Sequence, residues 1–335
     1  MRKLGIAVAI ALALVSVSVA FAQPSAGSQG TMASEAPSPN EPGIEDAGQT
    51  APTLGKRLIR LLVAVCVVVL LLSALVLFFE NRFVFYPTHK PAVDWDLPGT
   101  GIEECTFRSR DGTRLHGWWH PGAGGQAEDE TPVLLWCHGN AGNITQRADD
   151  ALEFARHGLA FLLFDYRGYG KSEGKPSEHG LNLDAEAAYE YLTEQRGVRP
   201  RRIICFGRSL GAAVALHAGL RGKPAGVIME SAFDSVPSIA MRKIPFPPLG
   251  LFMRNQFDCL GMVGYLRVPL LMVHGSNDRL VPIRHGRRVY EAAPGLKEFY
   301  TIEGAGHNDT SAVGGQPYYE EIARFCFQCV RSRGE

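Results

Sequence analysis

The chain has 335 residues, and the stretch before about residue 80 does not read as globular, which leaves roughly 250 residues, room for one α/β domain. Lys plus Arg and Asp plus Glu both number 34, so no net field is available to hold a polyanion, and a nucleic-acid partner is set aside. The seven cysteines show no disulfide framework: Cys137 and Cys205 sit in apolar runs as small hydrophobes, and Cys326 and Cys329 form a C-x-x-C lacking the second pair that zinc needs.

In chain order, residues 1–22 come first. Arg2 and Lys3 precede an apolar stretch ending in Ala20-Phe21-Ala22, a signal-peptide-like segment. Residues 23–57, dominated by Ala, Pro, Ser, Gly and acidic residues, read as a disordered linker. The run 58–79 is apolar apart from Arg60 and Ser73 and predicts a single transmembrane helix over 58–80. Lys56, Arg57 and Arg60 precede or open it and Glu80, Arg82 and Lys90 follow it, a bias that leans weakly towards an outward-facing folded domain. A cleaved signal peptide implies the opposite orientation, and initiation at Met1 or at Met32 both stay open.

Residues 84–335 alternate short β-rich runs with longer helical ones, the pattern of a mostly parallel sheet covered by helices. Spans 105–108 and 113–120 read as an antiparallel hairpin turning at Asp111-Gly112. Buried strands follow at 133–137, 160–164, 202–206, 226–229 and 269–273, with a last one at 297–302. Residues 236–266 break the alternation with Pro245, Pro247 and Pro248 and read as a small lid segment.

The chemistry-bearing residues lie just beyond the strand ends. Ile203 to Phe206 is followed at once by Gly207-Arg208-Ser209-Leu210-Gly211 and then by an alanine-rich helix, so G-x-S-x-G stands in the strand–turn–helix setting that exposes a nucleophilic serine. Serine needs a base, and His307 in Gly304-Ala305-Gly306-His307 follows the last predicted strand. The acid that orients it is expected at Asp278, in His274-Gly275-Ser276-Asn277-Asp278, with Glu230 of Met229-Glu230-Ser231 as the rival. The oxyanion donors are expected to be the backbone N–H groups of Leu210 and of Asn140, the latter in the loop His138 to Asn143. No metal or organic cofactor is required by this set.

At these residues the chain resembles the membrane-anchored single-domain α/β-hydrolases related to the mammalian α/β-hydrolase-domain proteins, some of which remove palmitoyl groups from proteins. The likeness rests on His138 to Asn143, Asp165-Tyr166-Arg167-Gly168-Tyr169-Gly170 with Ser172, the Ser209 turn, Glu230 to Phe233, His274 to Asp278 and Gly306-His307. It implies an α/β-hydrolase fold and hydrolysis of a carboxylic ester or thioester, with a small-molecule or lipid-like acyl substrate at a membrane. The same residues also suit an amidase, a peptidase or an acyltransferase, and a membrane-tethered binding protein without activity is the reading outside enzymes. Oligomeric state is left open. The loop 165–172 reads as structural support beside the site.

Overall fold

A computed structural model of the protein describes residues 54–122, 130–243 and 253–332. The signal-like segment, the linker up to residue 53, and lid residues 244–252 with their three prolines lie outside the described residues. The chain divides into two units, meeting in sequence between Phe78 and Phe79.

The described element of the first unit is helix α1, Leu54–Phe78. It starts four residues before the predicted 58 and stops two before the predicted 80. The predicted limits followed apolarity, whereas Lys56 and Arg57 are good helix formers and extend the helix. Within it, Leu58–Leu75 is long and apolar enough to cross a membrane. Its 25 residues span about 37 Å, against a hydrocarbon core of about 30 Å. Leu61, Leu62, Val65, Val68 and Leu72 are exposed.

The second unit opens with a short helix, α2, Glu80–Val84. The compact unit begins at Phe79, ahead of the expected 84, and Glu80 supplies the reason. Its buried carboxylate accepts the backbone N–H of Asn255 (2.7 Å), the Asn255 amide (2.9 Å) and the backbone N–H of Arg254 (3.0 Å), and it faces the Arg254 guanidinium at 3.3 Å. So many charge-assisted bonds tie α2 to the far end of the lid segment.

Among the described residues, besides a short parallel pair of Tyr86–Pro87 with Ala141–Gly142, the strands are β1 Glu103–Arg108, β2 Arg114–His120, β3 Val133–Cys137, β4 Ala160–Asp165, β5 Ile203–Arg208, β6 Gly226–Glu230, β7 Leu270–Gly275 and β8 Lys297–Ile302. Strands β1 to β8 form one eight-stranded sheet in the order β8-β7-β6-β5-β3-β4-β2-β1. Only β2 runs against the others. Strands β3, β4, β6 and β7 are buried along their whole length, as unbroken apolar runs in a sheet covered on both faces must be. The expected α/β-hydrolase fold is the observed one.

Five more helices pack around the sheet: α3 Ala148–Arg156, α4 Glu178–Glu190, α5 Leu210–Arg221, α8 Ile283–Ala292 and α9 Thr310–Ser332, the last kinked at Gly315. The short helices α6 Val236–Lys243 and α7 Cys259–Val263 are the described parts of the lid. After β4 the chain passes over β3 to start β5 on its other side. The loops leaving β3 and β5 diverge there, which is where an open parallel sheet forms a crevice.

Candidate active site

Ser209 follows β5 and caps α5 with φ 56° and ψ −118°, a conformation costly for a residue with a Cβ. Its N–H donates to the Glu230 carbonyl at 2.8 Å, which locks the turn to the neighbouring strand. Gly207 and Gly211 are required by space. A Cβ at Gly207 would fall inside contact distance of the Gly211 carbonyl, and one at Gly211 inside that of the Cys137 carbonyl.

His307 follows β8, and its Nε2 lies 2.9 Å from Ser209 Oγ while its Nδ1 lies 2.7 Å from Asp278 Oδ2. Asp278 is buried, and its Oδ1 accepts the N–H groups of Leu280 (2.9 Å) and Val281 (2.8 Å). Burial would raise its pKa, but the hydrogen bond and charge of His307, with the Val281 N–H, hold it below the ordinary carboxylate range. His274 steadies the same loop by donating from Nε2 to the Val281 carbonyl at 2.8 Å. The rival acid is placed elsewhere. Glu230 accepts from Thr310 Oγ1 and from Tyr318 Oη at 2.8 Å, and it pairs with Arg208 at 3.3 Å.

The two expected oxyanion donors, Asn140 and Leu210, line the same cavity as Ser209 and His307. Leu210 is the first residue of α5, where a backbone N–H has no acceptor within the helix. Asn140 is held from three directions: its carbonyl accepts from the Tyr86 N–H (3.0 Å) and Tyr169 Oη (2.8 Å), and its side chain donates to the Val84 carbonyl (2.9 Å). His138 Nδ1–H donates to the Gly139 carbonyl at 2.7 Å, so the trans peptide turns the Asn140 N–H to the opposite side. The loop 165–172 supports this arrangement: Tyr166 Oη donates to the His138 carbonyl at 2.9 Å, and Arg167 is anchored on Asp184 and Asp111.

His138 is fully buried, and burial pushes its pKa down to about 4. Above pH 6.5 the ring is neutral in both folded and unfolded states. As the pH falls below that, the unfolded chain takes up a proton that the folded protein refuses, until the buried ring itself protonates near pH 4. The stability lost over this window is about 3 kcal/mol, and the loss saturates below it. His274 and His285, both lowered chiefly by burial, add to the same trend. We expect His138→Asn, which keeps a donor near Nδ1, to show a shallower fall in thermal midpoint between pH 7 and 4.5; an unchanged fall would assign the acid loss to other groups.

The cavity has a volume of about 660 Å³. Phe83, Val84 and Tyr86 from the start of the unit, and Phe233, Val236, Ile239, Ala240 and Met253 from the lid region, give it an apolar wall. Among the described residues, the charged side chains in its lining are Arg147 and Arg208, which the sequence reading did not single out. Arg208 is the variable residue of G-x-S-x-G, and its Nη2 donates to the His307 carbonyl at 2.8 Å, bracing His307 from behind.

The family model described as serine aminopeptidase, S33, matches residues 128–255. The uncharacterized protein Rv2307c of Mycobacterium tuberculosis is 34% identical over 269 residues, covering 79% of this chain and 95% of that one. The α/β hydrolase domain-containing protein WAV2 of Arabidopsis thaliana is 30% identical over 284 residues, covering 75% and 89%. Among solved structures, the Pyrococcus furiosus esterase Pf2001 matches with a TM-score of 0.60 at 19% identity, covering 73% of this chain and 99% of that one. At that identity the likeness is one of fold.

Proposed function

Since the chain belongs to the α/β-hydrolase family, we propose that it is a serine hydrolase cleaving carboxylic esters or thioesters through an acyl-enzyme on Ser209. The observation that carries this is the hydrogen-bonded row Ser209 Oγ, His307 Nε2, His307 Nδ1, Asp278 Oδ2 at the edge of a largely apolar cavity. His307 takes the Ser209 proton as Oγ attacks the carbonyl carbon and returns it to the leaving oxygen or sulfur; water then repeats the sequence to free the acid. The N–H groups of Leu210 and Asn140 hold the oxyanion.

A peptidase reading shares the triad, and the family model carries that description. The charges in the cavity lining count against an aminopeptidase here. An α-ammonium group calls for a carboxylate, yet among the described residues lining the cavity both charged side chains are arginines. An apolar wall that includes Phe83 and Tyr86, a short way beyond α1 in the chain, suits an acyl chain drawn from a bilayer, with α1 as a single-pass anchor.

Covalent labelling of the detergent-solubilised full chain with a fluorophosphonate tests the reading. Wild type is expected to label, and Ser209→Ala and His307→Ala are not. Absence of labelling in a folded wild type would overturn the hydrolase assignment in favour of a tethered binding protein.

A further inference from the structure

Arg147 ends the 3₁₀ turn Ile144–Arg147 that follows the Asn140 loop, and its side chain forms part of the cavity wall that also holds Ser209. Its guanidinium donates to the carbonyls of Ala141 and Gln146, both at 3.3 Å, the long end of the range. Among the described residues no carboxylate forms an ion pair with it. The acids nearest in influence are already engaged, Glu230 by Arg208 and Tyr318, and Asp150 by Tyr319 Oη at 2.7 Å. Burial and the adjacent Arg208 charge both disfavour the cation, as the downward shift of its pKa reflects. A guanidinium carries five donors in a planar fork. Half-buried in the cavity wall next to the loop proposed to bind the oxyanion, with its donors on two long carbonyl contacts, it is suited to receive an anionic group.

We infer that Arg147 forms an anion subsite of the catalytic cavity, and that the preferred substrate is an acyl ester whose leaving group carries a phosphate within a few bonds of the ester oxygen, as in a monoacyl glycerophosphate. This rests on the serine-hydrolase reading above and adds to it the charge of the leaving group. The apolar wall takes the acyl chain, and the phosphate meets the fork of Arg147. In the acylation step the bond from Ser209 Oγ to the carbonyl carbon forms, and the ester C–O bond breaks. The proton passes from Oγ through His307 Nε2 to the departing glycerol oxygen, so the phosphate leaves with the alcohol and is itself unchanged.

The test compares a 1-acylglycerol with the 1-acylglycerol 3-phosphate of the same chain, both in uncharged mixed micelles, with the full-length protein. The two form the same acyl-enzyme, so their ratio of kcat/KM reports the leaving group alone, and a general loss of activity in a variant cancels. Wild type is expected to prefer the phosphate ester by about tenfold or more, as for a charge-assisted pair. Arg147→Gln should bring the ratio close to one, and Arg147→Lys should keep part of it. A wild-type ratio near one, or a preference that survives Arg147→Gln, overturns the inference. So does an acyl-coenzyme A thioester that shows the larger dependence on Arg147, which would move the anion to a headgroup many bonds away. Fluorophosphonate labelling with no turnover of either ester defeats this inference alone; no labelling defeats the reading beneath it.

Discussion

Asp278→Asn is expected to lower kcat by about four orders of magnitude with the fold intact, as loss of the orienting acid does in other triads, whereas Glu230→Gln should destabilise the fold and spare most of the activity. An asparagine at 278 still offers Oδ1 to the N–H groups of Leu280 and Val281, so the loop keeps its bonds. What changes is the group facing His307 Nδ1, which becomes an N–H donor in place of a carboxylate oxygen. Nδ1 must then accept, the imidazole proton moves to Nε2, and the nitrogen facing Ser209 can no longer take the serine proton.

Glu230 has the opposite profile. A glutamine there leaves the half-buried Arg208 without its carboxylate and one of Tyr318 or Thr310 without its acceptor, a loss of about 1–3 kcal/mol. Hydrolysis of a p-nitrophenyl ester and thermal melting of both variants separate the two acids. If Glu230→Gln lost activity and Asp278→Asn kept it, the acid would be Glu230 and the orientation of His307 described above would be wrong.

That these two acids competed in the sequence at all shows where local reading stops. Glu230 closes β6 and Asp278 lies in the loop just beyond β7, so both stand where a carboxylate can reach the crevice. What sets them apart is α9, which brings Thr310 and Tyr318 onto Glu230, a partnership separated by about 80 residues that no local pattern records. That Ser209 and His307 come together could be expected because their settings are local: a strand, a glycine-flanked turn and a helix for one, a glycine loop after the last strand for the other. Most strands were legible to within a residue or two for a similar reason, since unbroken apolar runs between glycine-rich loops have few other ways to be buried. Glu80 was read as a charge flanking a membrane helix because its acceptor role depends on Arg254 and Asn255, 174 and 175 residues away. Arg147 gave no signal in the sequence, being one basic residue in a polar turn. Only the folded loop 139–147 brings it into the cavity wall.

Gly211→Ala is expected to cost upwards of about 3 kcal/mol, because overpacking against fixed backbone has no rotamer through which to relax. The added Cβ would press on the carbonyls of Cys137 and His138. Cys137 cannot yield, since β3 pairs it with Phe164 on one side and Gly207 on the other. The remaining way out is for α5 to withdraw from β3. That would carry the Leu210 N–H away from the Asn140 loop, so a variant that still folds should lose a further hundredfold or so in kcat, comparable to removing one oxyanion donor. Gly139→Ala is the matched control for stability. Its Cβ would meet the Arg208 carbonyl at 3.6 Å, an ordinary contact, so its unfolding midpoint in urea should stay close to wild type. If Gly211→Ala unfolded at the same urea concentration as Gly139→Ala, helix α5 would have room behind it. The serine turn would then owe its shape to the strained backbone of Ser209 alone, not to the packing of α5 on β3.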